Sequence, residues 1–301
     1  MNTYRVVPFD SKYGTIGPNH NGTTVGPLLQ PFVVPAPTLP APPQDDVYSL
    51  LRERIDLHAQ LSDAIQIQRK LSGPRLLRYG AWQFASEVFA ARFLSGDFTT
   101  FSQEGSRVLA VLGDIAGKGV AAGMWFTHLA GLLQSCGRPD FDPARMAAEI
   151  NRHLCYLQPV APFVTAFLAQ IDCDLETITY CNAGHFPPIL LHADGRTELL
   201  EKGGPLLGAL EGAEFQSGEL MLEPGDTLVA YSDGVLECRN MAEEEFGLER
   251  LMTSALEAKQ PSAQATLMML LATVQDFANG SPLSDDVSLT VIQRDAGADW
   301  V

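Results

Sequence analysis

The run Val108-Leu109-Ala110-Val111-Leu112 constrains the fold more than any other stretch of the chain. An unbroken series of aliphatic side chains reads as a strand buried on both faces, so the chain must cover it from two sides. Gly113-Asp114 follows at once and delivers one carboxylate where the buried strand stops. Gly117 and Gly119 mark a backbone that turns or lets something approach closely, and Val120 to Phe126 opens a helix. Taken alone, an Asp at such a place reads as a helix N-cap. Its meaning depends on whether the rest of the chain repeats the pattern.

Residues 1–44 are polar and then dense in proline (Pro31, Pro35, Pro37, Pro40, Pro42, Pro43), a composition expected to form a disordered arm. Asp45-Asp46 opens a long helix, read over 45–72 and stopped by Gly73-Pro74. Within it Leu50, Leu57, Ala64 and Leu71 recur every seventh residue, but the companion positions Val47, Arg54, Leu61 and Gln68 break the seam. The expectation is a helix that docks one face on the following domain, with a homodimer through this helix as the alternative. A domain over 73–294 and a tail over 295–301 complete the chain.

Within the domain, strands are expected at Trp82–Ala85, Val88–Phe93, Asp97–Phe101 and Arg107–Leu112, followed by helices at 118–135 and 143–157. More strands follow at Val164–Ile171, Thr177–Cys181, Pro188–His192, Thr197–Leu200, Phe215–Leu222 and Thr227–Tyr231. Helices at 246–258 and 262–278 precede a last strand at Val287–Gln293. Asp194-Gly195 reads as a hairpin turn and Pro224-Gly225-Asp226 as another turn. Strands in blocks and then helices in blocks argue for an α+β fold with antiparallel sheets.

The formal net charge of −16 argues against a nucleic-acid partner, which needs clusters of Lys and Arg. No stretch is long and apolar enough for a membrane span, and Met1 to Arg5 open no signal peptide. The cysteines, five in number with no C-x-x-C pair, read as buried hydrophobes in a reducing compartment, and the chain is expected in the cytoplasm.

The pattern of Gly113-Asp114 returns at Gly96-Asp97, Ser232-Asp233-Gly234 and Ser284-Asp285-Asp286. Each Asp sits at the end of an apolar strand beside Gly or Ser, where little bulk blocks approach. Carboxylates gathered on one rim repel and raise their own pKa values unless a cation neutralises them. Oxygen ligands without His or Cys suit Mg²⁺ or Mn²⁺ and disfavour Zn²⁺. Two such ions about 3.5–4 Å apart share a water, lower its pKa and hold it for attack on phosphorus. In Asp285-Asp286, strand alternation lets only one of the pair face the ions.

The segments Ser95-Gly96-Asp97-Phe98, Gly113 to Gly119, Asn182-Ala183-Gly184-His185-Phe186-Pro187-Pro188, Leu222 to Asp226 with Tyr231 to Val235, and Asp285 to Ser288 occur in one order. In that order they resemble the SpoIIE/RsbU-type phosphatases of the metal-dependent PPM class of serine/threonine protein phosphatases. The likeness runs from about Ala64 to Gln293. It implies an α-β-β-α sandwich of two antiparallel sheets with two Mn²⁺ or Mg²⁺ ions at one edge. Asp97, Asp114, Asp233 and Asp285, with the carbonyl of Ile115, are implied as ligands. Asp286, Gly234 and Arg92 take supporting or phosphate-side positions, and the preceding helix is implied to be regulatory. The implied reaction is removal of phosphate from Ser or Thr of a partner protein, of the anti-sigma-factor antagonist type. A weakly active or inactive phosphatase-fold binding module is the alternative, and a two-metal nuclease is disfavoured by the charge.

The sequence departs from the family pattern at Thr100, where a second Asp is usual, and in the short loop Phe93-Leu94-Ser95-Gly96. Ala116 stands where eukaryotic relatives carry a His, so a metal-bound water is expected to protonate the leaving group. His185 is read as a structural hydrogen bond at a turn, and Lys118 as a residue of a first helical turn.

Overall fold

The computed structural model describes residues 44–136 and 142–296. The proline-rich arm, Gln44 apart, and residues 297–301 of the tail lie outside them. Leu50 onward forms one compact unit.

Helix α1 (Gln44–Leu71) is followed by β1 (Leu76–Tyr79), β2 (Trp82–Phe89), β3 (Phe98–Glu104) and β4 (Arg107–Ile115). Helices α2 (Val120–Cys136) and α3 (Pro143–Tyr156) separate these from β5 (Val164–Asp172), β6 (Thr177–Ala183), β7 (Ile189–Leu191), β8 (Thr197–Leu199) and the two-residue β9 (Gly203–Gly204). Then come β10 (Gly218–Met221), β11 (Thr227–Tyr231), the single turn α4 (Asp233–Leu236), α5 (Gly247–Glu257), α6 (Ala263–Ala278) and β12 (Val287–Arg294). Local signals explain several boundaries. Asp142 caps α3 by accepting from the Arg145 N–H, with Pro143 in the first turn, and Ser262 caps α6 by accepting from the Ala265 N–H.

The strands form two sheets, ordered β1-β2-β12-β11-β7-β8 and β10-β6-β5-β4-β3, with β9 added parallel to β6. All other pairings are antiparallel. Strand β4 shows why its sequence is apolar throughout. Val108, Ala110 and Leu112 join Phe84, Phe101, Phe167, Leu228 and Ile292 in a core between the sheets. Leu109 and Val111 point the other way, into a core with Phe126 and Leu129 of α2 and Met146, Ile150 and Leu154 of α3. A third core packs α5 and α6 on the first sheet through Leu251, Leu267, Leu270, Val229 and Val291. The layers are therefore α-β-β-α, as the resemblance implied, and each fully buried aliphatic side chain contributes about 1.5–3 kcal/mol.

The structure differs from the sequence reading in three places. Trp82–Ala85 and Val88–Phe93 are not two strands: β2 runs unbroken to Phe89 along β12, and residues 90–97 leave the sheet. They leave because the Ala91 N–H donates to the Asp286 carboxylate (2.7 Å) instead of continuing a ladder. Strands β1 and β9 and the turn α4 are additional elements. At Pro224-Gly225-Asp226 the expected turn forms, closed by the Asp226 N–H to Glu223 carbonyl bond (2.9 Å), and it carries the chain from one sheet to the other.

The last difference concerns α1. From its middle onward α1 docks: His58 meets the Phe93 ring edge to face (centroids 5.4 Å), the Gln68 amide Nε2 donates to the Ser95 carbonyl (2.8 Å) and Leu71 packs on the helix-side core. Farther up, Leu50 and Leu57 are 59% and 54% exposed.

Candidate active site

The antiparallel register brings the four acids to one rim. Phe98 pairs with Gly113, so Asp97 at the start of β3 lies beside Asp114 near the end of β4. Tyr231 pairs with Leu289, which brings Asp233, just past β11, to the same end of the sheet as Asp285, just before β12, close enough for the two charges to interact. The first pair belongs to one sheet and the second to the other.

Close backbone contacts within each sheet then tighten the two halves of the rim. A Cβ on Gly234 would stand 2.0 Å from the Asp286 carbonyl oxygen, so only glycine lets the turn after β11 pass this close to the backbone before β12. A Cβ on Gly96 would meet the carbonyl oxygens of Ile115 (2.9 Å) and Gly117 (3.1 Å) and Oδ1 of Asp114 (3.4 Å). Oxygen atoms thus converge around a space that a methyl group would fill. Ser232 and Ser288 lace β11 to β12, with a Ser232 N–H to Ser288 carbonyl bond (3.0 Å) and a Ser288 N–H to Ser232 Oγ bond (3.0 Å).

Asp286 and Asp285 divide as strand alternation requires. Asp286 is buried and its carboxylate accepts from the Ala91 N–H (2.7 Å), the Ser95 hydroxyl (2.8 Å) and the Gly96 N–H (2.7 Å). It is a bracket that fixes the loop carrying Asp97. Asp285 is half-buried: its Oδ1 accepts from the Asp286 N–H (2.9 Å), and its Oδ2 accepts from Nζ of Lys118 (2.6 Å).

Electrostatics follow from this crowding. Asp97 is 3% exposed, and burial first, then the Asp114 carboxylate, holds it well above the usual carboxylate range. The hydroxyls of Ser232 and Ser288 counter this in part. Even so, Oδ2 of Asp97 is buried with no hydrogen-bond partner among the described residues. Asp114 is pushed up to about 6 by burial and then by Asp233, Asp285 and Asp286. Asp233 is raised by burial and by Asp285. Acids placed so that each disfavours the ionisation of the next are stable as carboxylates only beside a cation.

An orphaned buried carboxylate oxygen, a ring of carbonyl and carboxylate oxygens and the lack of His or Cys fit Mg²⁺ or Mn²⁺. Among the described residues, no three His, Cys, Asp or Glu side chains converge tightly enough to cage an ion unaided.

Other candidate residues lie at different distances from the acids. Lys118 reaches across to Asp285 and the Ser284 carbonyl (3.1 Å) instead of lying along a helix. Arg92 is exposed, with no ion-pair partner among the described residues, and lines a cavity of about 280 Å³ with Phe93, Arg69 and Asp97. Thr100 faces away, beside Gly73. His185 lies outside the acid cluster. It is buried, its Nε2 meets the Tyr231 carbonyl (3.1 Å) and its Nδ1 the Thr165 hydroxyl (2.8 Å). A carbonyl only accepts, so Nε2 carries the proton and Nδ1 accepts from Thr165. Burial lowers this imidazole to about 4, so it is a neutral strut between the sheets.

Comparison with known proteins bears on family and fold. The family model for Stage II sporulation protein E (SpoIIE) matches residues 104–295, a stretch that contains Asp114, Asp233 and Asp285 and begins after Asp97. The chain is 26% identical over 242 residues to phosphoserine phosphatase RsbU of Bacillus subtilis (strain 168), covering 79% of this chain and 71% of that protein. It is 27% identical over 264 residues to Protein IcfG of Synechocystis sp., covering 78% of this chain and 41% of that protein. Among solved structures, the SiaA-PP2C domain of Pseudomonas aeruginosa superposes with a TM-score of 0.69 at 17% identity. That match covers 81% of this chain and 99% of the domain.

Proposed function

Because the chain belongs to the SpoIIE family of PPM-type phosphatases, we propose that it hydrolyses phosphoserine or phosphothreonine on a partner signalling protein. The substrate class follows RsbU, which is named a phosphoserine phosphatase. The finer assignment, an anti-sigma-factor antagonist, rests on the family resemblance. The observation that supports the reaction best is the meeting of Asp97, Asp114, Asp233 and Asp285 from two sheets, with a buried Asp97 oxygen that no protein donor satisfies.

In this reading Asp97, Asp114, Asp233, Asp285 and the Ile115 carbonyl hold two Mn²⁺ or Mg²⁺ ions. When bound, such ions neutralise the carboxylates and lower the pKa of the attacking water. The chain does the rest. Asp286 and Gly234 fix the spacing of the acids, and Arg92 presents a free guanidinium to the incoming phosphate beside Asp97. Ala116 offers no proton to the leaving oxygen, so that proton comes from water. A homodimer through α1 completes the proposal, because exposed Leu50 and Leu57 fit a second copy of the helix.

The test is hydrolysis of p-nitrophenyl phosphate and of a phosphoserine peptide by the full chain. Millimolar Mn²⁺ should be required, and excess EDTA or Asp114→Asn should abolish turnover with an unchanged circular dichroism spectrum. Full activity in EDTA would refute the metal-dependent reading. Tight Mn²⁺ binding with no turnover would favour the binding-module alternative.

A further inference from the structure

The two carboxylate oxygens of Asp285 are held differently. Its Oδ1 accepts from the Asp286 N–H (2.9 Å), which leaves Oδ2 as the oxygen without a backbone donor. That oxygen is the one taken by Nζ of Lys118 at 2.6 Å, and a second proton of the same ammonium goes to the Ser284 carbonyl at 3.1 Å. The arrangement is built by the backbone: Lys118 lies between Gly117 and Gly119, both at positive φ (119° and 75°), which turns the loop after β4 back across the rim. Both side chains keep access to water, at 41% and 29% exposure, so the pair opens at little cost.

We infer that Lys118 is a resident cation that competes with a divalent ion for Oδ2 of Asp285, and so sets how tightly the acid cluster takes its ion. This rests on reading the four acids as ion ligands. A divalent ion sits about 2.0–2.6 Å from carboxylate oxygens, closer than an ammonium, and carries twice the charge, so it displaces Lys118 once its concentration is high enough. The lysine keeps Asp285 paired at low ion concentration and weakens ion binding in exchange.

Mn²⁺ binding to the full chain is measured from the paramagnetic resonance signal of the free ion, in wild type, Lys118→Gln, Asp285→Asn and the double variant. Lys118→Gln should tighten Mn²⁺ binding roughly threefold to fivefold. The same change in the Asp285→Asn background should have no effect. Arg92→Gln, which removes a nearby positive charge that does not touch Asp285, should change affinity by less than about twofold. Unchanged or weaker binding in Lys118→Gln would overturn the inference alone, as would equal tightening by Arg92→Gln. Failure of both wild type and Lys118→Gln to bind Mn²⁺ would overturn the ion-ligand reading and this inference with it.

Discussion

Replacing His185 by Gln should weaken the fold at neutral pH, and the loss should shrink as the solution is acidified. Both ring nitrogens are used in the folded chain, one toward Tyr231 on the first sheet and one toward Thr165 on the second. With the imidazole neutral in both states, the variant loses part of these two bonds, at about 2 kcal/mol. Acid adds a second effect. The folded imidazole titrates at about 4, against 6.5 for an ordinary histidine. Across that window the unfolded chain binds a proton that the folded chain refuses, so stability is complete above pH 6.5 and falls as pH drops. The full penalty is about 3 kcal/mol, and about 2 kcal/mol of it is felt by about pH 5. Glutamine does not titrate. The stability gap between wild type and His185→Gln should therefore be about 2 kcal/mol near pH 7.5 and close to zero near about pH 5. Urea unfolding followed by tryptophan fluorescence, with Trp82 buried in the inter-sheet core, reads both values. A gap that stays constant or widens with acid would show that folded His185 accepts a proton and would refute the neutral strut.

Three further outcomes are expected. Gly96→Ala puts a Cβ at 2.9 Å from the Ile115 oxygen and should weaken Mn²⁺ binding and turnover through about 1–3 kcal/mol of local strain, read by Mn²⁺ titration of activity. Asp285→Asn should abolish Mn²⁺-dependent hydrolysis at unchanged Tm, whereas Asp286→Asn turns an NH₂ toward the Ala91, Ser95 or Gly96 donors and should cost about 2–3 kcal/mol in thermal unfolding. Leu57→Ala, at an exposed position, should leave monomer stability within about 0.5 kcal/mol, and light scattering should show loss of the dimer.

Local patterns carried much of this architecture. The apolar run of β4, the hairpin turn at Asp194-Gly195 and the acids at strand ends are signals within a few residues, and each stands where the pattern put it. Strand alternation likewise separated Asp285 from Asp286. What stayed illegible depends on distant partners. Val88–Phe93 has strand composition, yet the chain leaves the sheet at Ala90 because Ala91 bonds to a residue 195 positions away. Lys118 reads as helical until its partner, 167 positions on, is in place. The upper turns of α1 have apolar spacing fit for docking, but spacing does not say whether the covering surface belongs to the same chain.

The two sheets each bring half of the carboxylates, and this makes the rim a gauge of how the layers are seated. Asp97 and Asp114 travel with β3 and β4, while Asp233 and Asp285 travel with β11 and β12. A slip of one residue between the layers is about 3.3 Å, more than the roughly 2 Å that separates a small divalent ion from its oxygens. A change in the inter-sheet core, at Phe84 or Leu112 for instance, would therefore register as lost ion affinity well before it registers as unfolding. An ion held by acids of both sheets would in turn rivet the seam, and whatever shears the layers would switch the rim without touching any acid.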